Sequence, residues 1–162
     1  MNKRILLLIL FTFALSVAIV SAKLISKENE YKVIKVIDGD TVYIDFNNNN
    51  ISEQNEKVRI NGIDTFETKP SIFLDYQIQN YNLTKEEALG LGYFGKEFAK
   101  KELLNKYVIA KYTAEEKFDK NNRHLMSIYY NYNSNNECKN YEQEVLKAGL
   151  ATIYTNFKKY FI

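Results

Sequence analysis

The sequence predicts a single α+β domain, a small barrel of short antiparallel strands with helices packed on it. Apolar and polar residues alternate with period two before residue 63 and again after residue 106, which is typical of half-buried strands. Helical spacing appears between these regions and near the carboxyl end. The chain has one proline and no linker-like or repetitive segment, so a single domain over residues 23–162 is expected.

Alternation and one turn predict the first three strands. Residues 31–37 are rich in Val and Ile, residues 41–46 alternate, and the Asp-Gly pair at 38–39 between them is typical of a hairpin turn. A polar loop follows, and residues 57–62 alternate again. Arg59 falls on the polar side of this third strand, where it can meet a ligand.

The middle of the chain predicts one helix. Pro70 ends the first segment, and residues 71–92 are aromatic and irregular. Within them, residues 84–87 have the spacing of a capping box, which predicts a short helical turn. Apolar residues at helical spacing then predict a helix over about 94–105. These apolar positions are Phe94, Phe98, Ala99 and Leu103.

The last third of the chain predicts two more strands and a final helix. The strands are expected near 107–113 and 124–131. Gly149 is placed to cap the carboxyl end of the helix that follows. Tyr154 and Phe157, beyond that helix, are interpreted as core residues rather than as surfaces for base stacking. The apolar positions of the helix are Tyr141, Val145 and Ala148.

The amino terminus has the layout of a secretory signal peptide. Lys3 and Arg4 precede an apolar run from Ile5 to Val20, and small residues follow up to Ala22. The run is about 16 residues long, whereas a membrane span needs roughly 20. We therefore predict a signal peptide over 1–22, a secreted or periplasmic location and no stable membrane insertion after cleavage. An uncleaved anchor is the alternative.

The overall charge gives no support for a nucleic-acid partner. The chain has 22 Lys and Arg against 20 Asp and Glu, and Lys3 and Arg4 account for the surplus. Residues 23–162 are therefore formally neutral, whereas nucleic-acid binders usually have a basic surplus. Any attraction to phosphate must come from a local cluster or from a bound cation. Cys138 is the single cysteine, which excludes an internal disulfide.

Two arginines stand out among many lysines. Arg59 and Arg123 are the only arginines after Arg4, and each lies near acidic and small polar residues. A guanidinium is a rigid planar fork that binds two phosphate or carboxylate oxygens at once, which an ammonium does not do. The sequence also has no Cys and His set with zinc spacing, and its one histidine lies near no nucleophile motif. These features favour phosphoryl chemistry over zinc or serine-type catalysis.

Three carboxylates complete the predicted chemistry. Asp40 and Asp64 supply hard anionic oxygens suited to Ca²⁺ or Mg²⁺. Glu67, three residues after Asp64, can reach a water as general base. Asp38, in the Asp-Gly turn, is interpreted as a turn residue rather than a ligand.

Four segments, in this order, resemble the thermonuclease, or staphylococcal nuclease-like, family. They are Asp-Gly-Asp-Thr at 38–41, Val-Arg to Glu-Thr-Lys at 58–69, Asp-Lys-x-x-Arg at 119–123, and Val-Leu-Lys-Ala-Gly-Leu-Ala at 145–151. The resemblance covers about residues 31–157. It implies an OB-type five-stranded β-barrel with packed helices.

The resemblance also implies an activity and a role for individual residues. Family members use Ca²⁺ to hydrolyse DNA and RNA to 3′-phosphate products. Asp40, Asp64 and the backbone carbonyl of Thr65 correspond to the calcium ligands. Glu67 corresponds to the general base or water-positioning group. Arg59 and Arg123 correspond to the arginines that hold the phosphate.

The sequence departs from the family pattern in places that leave alternatives open. Phe66 stands where the family usually has proline, and Asn121 and Asn122 replace a Tyr-Gly pair. Residues 71–92 form a longer stretch than in the smallest members, which is expected to reshape the groove. The alternatives are a catalytically inactive OB-type module that binds nucleic acid or protein, and an anchored surface protein with a structural barrel. Natural substrate, DNA or RNA preference and oligomeric state stay open.

Overall fold

The computed structural model describes residues 30–131 and 138–154. The signal peptide predicted over residues 1–22 lies outside these ranges, and so does Phe157. The described residues from Tyr31 onwards belong to one compact unit. Within the two described ranges, no helix is long and apolar enough to cross a membrane.

Five strands close into a mixed barrel. They are β1 (Glu30–Val36), β2 (Thr41–Asp45), β3 (Lys57–Ile60), β5 (Tyr107–Tyr112) and β6 (His124–Tyr130). The neighbours run in the order β3-β2-β1-β5-β6, and a further pairing between β3 and β6 closes the ring. That closing pair is parallel, with Arg59 opposite Leu125, whereas the β1–β2, β2–β3 and β5–β6 pairs are antiparallel. The predicted α+β barrel with packed helices is therefore confirmed.

Three short strands in the described residues were not predicted from the sequence. β4 (Ile63–Thr65) and β8 (Ala151–Ile153) form a separate antiparallel pair, and β7 (Lys139–Asn140) extends the main sheet beside β6. Strands of two or three residues are too short for alternation to register. The β4–β8 pair fixes the backbone of Asp64 opposite Thr152.

Two helices occupy the stretch that was predicted to be irregular. α1 (Ile72–Tyr81) begins at Ser71, whose hydroxyl accepts a hydrogen bond from the N–H of Leu74. α2 (Lys85–Leu103) begins with the capping box between Thr84 and Glu87. The prediction of an irregular stretch with only a short helical turn was therefore wrong, because the capping box opens a helix of 19 residues. The helix predicted from residue 94 is the second half of α2.

The last helix ends as its sequence predicts. α3 (Tyr141–Lys147) is followed by Gly149 in a left-handed conformation, with φ of 70°. The N–H of Gly149 bonds to the carbonyl of Leu146, and the N–H of Leu150 bonds to that of Val145. These bonds satisfy carbonyls at the helix end, as in a glycine-terminated helix.

The main core lies inside the barrel and beneath α2 and α3. Ala99 and Leu103 of α2 and Tyr141 and Val145 of α3 pack against the Val and Ile side chains of the strands. Phe94 does not join them, since its side chain is 60% exposed. A second, smaller cluster joins α1 and α2 to the chain after β4. Its buried members are Phe66, Leu74 and Ala88.

Candidate active site

A cavity of about 780 Å³ collects the predicted site residues. Its walls come from the turn before β2, from β3, from β4 and the residues after it, from α1, and from the loop before β6. All six residues predicted for metal binding or chemistry line this one cavity. They are Asp40, Arg59, Asp64, Thr65, Glu67 and Arg123.

Asp40 is held firmly at the base of the site. Its side chain is buried, and its Oδ2 accepts hydrogen bonds from the N–H of Thr65 at 2.7 Å and from the Thr65 hydroxyl at 2.9 Å. The hydroxyl of Thr41 donates to Oδ1 at 3.1 Å. A carboxylate that accepts several hydrogen bonds keeps its orientation, so this turn presents a fixed negative group to the cavity.

Arg59 bridges the two aspartates. Its Nη1 lies 2.6 Å from Asp40 Oδ1 and its Nη2 lies 2.8 Å from Asp64 Oδ1, and its side chain is only 12% exposed. Although Nη1 is this close to a carboxylate, its direction does not satisfy a hydrogen bond, and within residues 30–131 and 138–154 this buried donor has no hydrogen-bond acceptor. The strand alternation that placed Arg59 opposite the core is confirmed, because Val58 and Ile60 are buried.

Arg123 reaches the site from the loop before β6. Its Nε and Nη2 both contact Asp119 Oδ2, at 2.7 and 2.6 Å, and its Nη1 lies 3.5 Å from the Thr41 hydroxyl. Burial disfavours the ionised form of Asp119, but hydrogen bonds from the backbone and guanidinium of Arg123 lower its pKa overall. The ion pair therefore braces the loop and directs the remaining nitrogen towards Thr41.

Glu67 lies after β4, beside the other carboxylates. Burial raises the pKa of its carboxyl, the negative charges of Asp40 and Asp64 raise it further, and Arg59 and Arg123 act in the opposite direction. Burial is also the main cause of the raised pKa of Asp64. A carboxyl whose pKa moves towards neutrality is a better proton acceptor at neutral pH, which suits a general base.

Asp38 has the turn role that the sequence predicted and also lines the cavity. Its Oδ1 accepts a hydrogen bond from the N–H of Asp40 at 3.2 Å. Burial and the neighbouring charge of Asp40 raise its pKa to about 7. The concentration of carboxylates at this end of the cavity is therefore electrostatically costly, and a bound cation would offset the cost.

The donor set fits a hard cation. Asp40 and Asp64 offer carboxylate oxygens and Thr65 offers its main-chain carbonyl, all at one cavity. Within residues 30–131 and 138–154 there is no group of three or more His, Cys, Asp or Glu placed to hold a metal ion by themselves. Calcium takes six to eight oxygen ligands in flexible geometry and accepts water among them. The residues therefore fit Ca²⁺ with solvent or substrate completing its shell, and they do not fit zinc.

Comparison with known proteins places this chain in a family. Residues 57–161 match the model of the family described as staphylococcal nuclease homologues, which is more than half of the chain. The chain belongs to the staphylococcal nuclease homologue family. The matched residues include β3, β4, α1, α2 and β6, so the nuclease-homologue domain carries most of the cavity wall.

A relative of the nuclease-homologue domain occurs in an archaeon. The chain is 40% identical over 132 residues to a protein of Methanocaldococcus jannaschii that is described as uncharacterized. The match covers 78% of this chain and 60% of that protein. The chain thus spans about three fifths of the length of this curated relative.

The structure adds two residues that the sequence analysis did not place in the site. Gln77 of α1 is buried and donates to the carbonyl of Thr65 at 3.0 Å. Tyr154, predicted to be core, is instead 50% exposed, and its ring lies 5.7 Å from the guanidinium carbon of Arg59. A polar residue on the buried face of a helix was the signal for Gln77, but it becomes visible only once α1 is recognised as a helix.

Proposed function

We propose that this chain is a Ca²⁺-dependent nuclease that hydrolyses the phosphodiester bonds of DNA and RNA to 3′-phosphate products. The observation that carries the proposal is the convergence of two arginines, a partly buried glutamate and two aspartates on one cavity of about 780 Å³. Cleavage of a phosphodiester needs neutralisation of developing charge, a deprotonated water and fixed geometry. Family membership supports a nuclease-type hydrolase, and the site geometry supports the chemistry.

The residues divide the reaction between them. Glu67 takes the proton from the attacking water, and the raised pKa of its carboxyl suits that task. The water oxygen bonds to phosphorus, the bond from phosphorus to the 5′-oxygen breaks, and the 5′-oxygen leaves and takes a proton from solvent. Arg59 and Arg123 hold the phosphate oxygens, because each guanidinium offers several donors at fixed angles. Asp40, Asp64 and the Thr65 carbonyl hold the calcium ion. When bound, the ion supplies charge neutralisation and polarises the phosphate and water oxygens.

The rim of the cavity supports a nucleic-acid substrate. Ile72, Phe73 and Tyr76 line the cavity from α1, and Phe73 and Tyr76 are 66% and 64% exposed. Exposed aromatic rings are stacking surfaces for unpaired bases, and stacking tolerates any base sequence. Because residues 23–162 are formally neutral, contacts of this kind supplement the local arginines in binding the substrate.

The proposal includes export through the signal peptide predicted over residues 1–22, into the medium or the periplasm. Lys3, Arg4 and the apolar run that follows support it. Intact-mass measurement of the protein secreted by an expression host tests it, with cleavage after Ala22 as the expected result. Retention of the whole segment would favour an anchored surface protein.

A catalytically inactive binding module is the second candidate, and one observation favours it. Both arginine forks are engaged by carboxylates of the protein itself, Arg59 by Asp40 and Asp64, and Arg123 by Asp119. In a nuclease, Arg59 would turn from the aspartates to the phosphate, with a bound cation as the counter-charge of Asp40 and Asp64. In a binding module, the pairs persist.

Digestion of a single-stranded DNA and of an RNA, each with Ca²⁺, with Mg²⁺ and with excess EGTA, distinguishes these candidates. We expect rapid cleavage in Ca²⁺, weak or no cleavage in Mg²⁺ and none in EGTA, with 3′-phosphate ends on the products. The Glu67→Gln variant, purified in the same way, controls for a contaminating nuclease. Cleavage that survives EGTA and EDTA would overturn the calcium assignment, and binding without cleavage in Ca²⁺ would favour the module.

A further inference from the structure

Gln77 reaches into the candidate site from a helix that carries none of the predicted site residues. It lies on α1, its residue is 6% exposed, and its side chain lines the cavity. Its Nε2 donates to the carbonyl of Thr65 at 3.0 Å and lies 3.4 Å from Asp64 Oδ2. Its Oε1 accepts a hydrogen bond from the N–H of Glu67 at 3.0 Å. One amide thus contacts Asp64, Thr65 and Glu67, three of the predicted site residues.

The chemistry of its partners fixes the orientation of this amide. The N–H of Glu67 can only donate, so it requires the amide oxygen. The carbonyl of Thr65 can only accept, and the carboxylate of Asp64 also accepts when ionised, so both require the amide nitrogen. Rotation of the amide by 180° would place its NH₂ group against the N–H of Glu67, so that two donors would face each other. It would also place the amide oxygen against the Thr65 carbonyl and the Asp64 carboxylate, so that three acceptor oxygens would face one another. The network therefore has a single satisfied arrangement, which is a condition for rigidity in a buried polar site.

The packing of α1 keeps Gln77 in place. Leu74, one turn before Gln77, is fully buried beside Phe66, the residue between Thr65 and Glu67. The Phe66 ring also meets Tyr81 near the end of α1, with ring centroids 5.5 Å apart. The helix is therefore anchored to the same segment whose polar atoms Gln77 contacts.

Close packing of α2 also restricts the backbone of residues 66–67. A side-chain carbon added at Gly92 would lie 2.3 Å from the carbonyl oxygen of Glu67, so α2 passes against the backbone of Glu67 without space to spare. The segment thus contacts both α2, at Gly92, and Gln77 of α1. Its remaining freedom is rotation of the peptide groups, which the Gln77 hydrogen bonds oppose.

We propose that Gln77 is the positioning residue of this site, acting through its amide on the oxygens of Asp64 and Thr65 and on the backbone of Glu67. It orients two of the groups assigned to the cation and, by holding the N–H of Glu67, sets the direction in which the Glu67 side chain leaves the chain. The inference rests on the proposed function for its kinetic consequences, but its effect on cation binding stands without it. Groups that orient metal ligands through hydrogen bonds change metal affinity or activity by about 10–100-fold when they are removed.

The test compares Gln77→Met with two variants of the same helix. Methionine keeps the length of the side chain and removes the amide. Gln79→Met is the matched control, because Gln79 is exposed on α1. Ile78→Ala loosens the packing of α1 against the smaller core cluster without removing a polar contact, so it controls for a loss of stability. Gln77→Asn retracts the amide by one methylene and replaces Gln77→Met if that variant melts below the assay temperature.

Two readouts are measured at a temperature where the melting curves show each variant to be folded. The first is the Kd for Ca²⁺ by calorimetry in the absence of nucleic acid, and the second is kcat and KM on a short single-stranded oligonucleotide at saturating Ca²⁺. For Gln77→Met we expect the Kd to rise by about 10–100-fold and kcat to fall by a similar factor, with KM within about threefold. Gln79→Met should match the wild type in both readouts.

The outcomes separate this inference from the proposed function. If the wild type binds Ca²⁺ and Gln77→Met binds it with an unchanged Kd and keeps its kcat, the inference fails and the function stands. If the wild type binds Ca²⁺ but cleaves no nucleic acid, the function fails, and a raised Kd in Gln77→Met still supports the inference. An equal rise of Kd in Ile78→Ala would show that α1 acts by packing alone and would overturn the role of the amide. A wild type that binds no Ca²⁺ overturns both.

Discussion

Replacement of Arg59 by lysine separates the charge of this residue from its shape. The guanidinium contacts Asp40 and Asp64 through two different nitrogens, at 2.6 and 2.8 Å, whereas lysine has a single nitrogen. A lysine can therefore satisfy only one of the two carboxylates. We expect it to stay with Asp40, whose side chain is 8% exposed, and to leave Asp64, at 39%, to water.

The loss has a stability part and a kinetic part of different size. One charged contact to the more exposed aspartate is lost, which costs about 1–2 kcal/mol, less than the 3–5 kcal/mol of breaking a fully buried pair. This corresponds to a fall in Tm of roughly 3–10 °C for a domain of this size. In the reaction, the loss of one preorganised donor to the developing charge costs about 10²–10³-fold, mainly in kcat.

Steady-state kinetics on a single-stranded oligonucleotide at saturating Ca²⁺ measures the kinetic part, and a thermal melt in EGTA measures the stability part. Arg123→Lys is the comparison, because among the described residues Arg123 forms an ion pair with Asp119 alone, and it is more exposed, at 22% against 12% for Arg59. We expect a similar fall in kcat for Arg123→Lys with a smaller change in Tm. A folded Arg59→Lys enzyme with kcat within fivefold of the wild type would refute the role of the guanidinium fork.

Three further tests use substitutions at Glu67, at Asp38 and at Gly92, the last with Gly90 as its control. Glu67→Gln should lower kcat by about 10²–10⁴-fold with the Kd for Ca²⁺ within threefold, and a variant that keeps half of the wild-type kcat would exclude Glu67 as the base. Because the pKa of Asp38 is raised to about 7, its ionisation opposes folding, so stability should fall as the pH rises from 4 towards 8. In EGTA, Asp38→Asn should reduce this slope, to which the raised pKa values of Asp64 and Glu67 also contribute, and stabilise the protein by about 2–4 kcal/mol at pH 8. Urea denaturation at pH 5 and pH 8 measures the slope, and an equal slope in the wild type and in Asp38→Asn would contradict the prediction. Gly92→Ala should destabilise the domain by about 1–3 kcal/mol and lower kcat, since its Cβ would meet the Glu67 carbonyl at 2.3 Å. Gly90→Ala, on the same helix with open space around it, should instead stabilise by about 0.5–1 kcal/mol in the same melts, and equal behaviour of the two variants would show that the close approach has no effect.

The barrel could be predicted from sequence wherever local pattern and burial agree. In β3, Val58 and Ile60 are buried and Arg59 faces the cavity, as strict alternation requires. The pattern failed for α1, because the apolar Ile72 and Phe73 are exposed and therefore obscure the buried face. A helix whose exposed side is also apolar has no polar face for periodicity to detect.

The motifs predicted that the six site residues lie at one site, but they did not predict which of these residues form ion pairs with each other. Sequence spacing indicates that Asp40, Arg59 and Asp64 lie near one another, and it does not indicate that the arginine bridges both aspartates. Gln77 was missed because a neutral amide belongs to no charge pattern and its partners are largely backbone groups. Tyr154 was assigned to the core because an aromatic residue normally buries its ring, whereas here it lies over a cation at the cavity.

The parallel pairing of β3 with β6 brings two distant parts of the chain together at the site. β3 holds Arg59, and Arg123 immediately precedes β6, so the two guanidinium groups come together only when the ends of the open sheet meet. A fragment that stops in the loop before β6 would contain every carboxylate at the cavity base and the first arginine, yet it could not close the ring. Such a fragment, mixed with a second one that begins in the same loop and supplies β6 and α3, would regain activity only by reassociation. Nuclease activity would then report directly on whether two separately made pieces of this barrel have found each other.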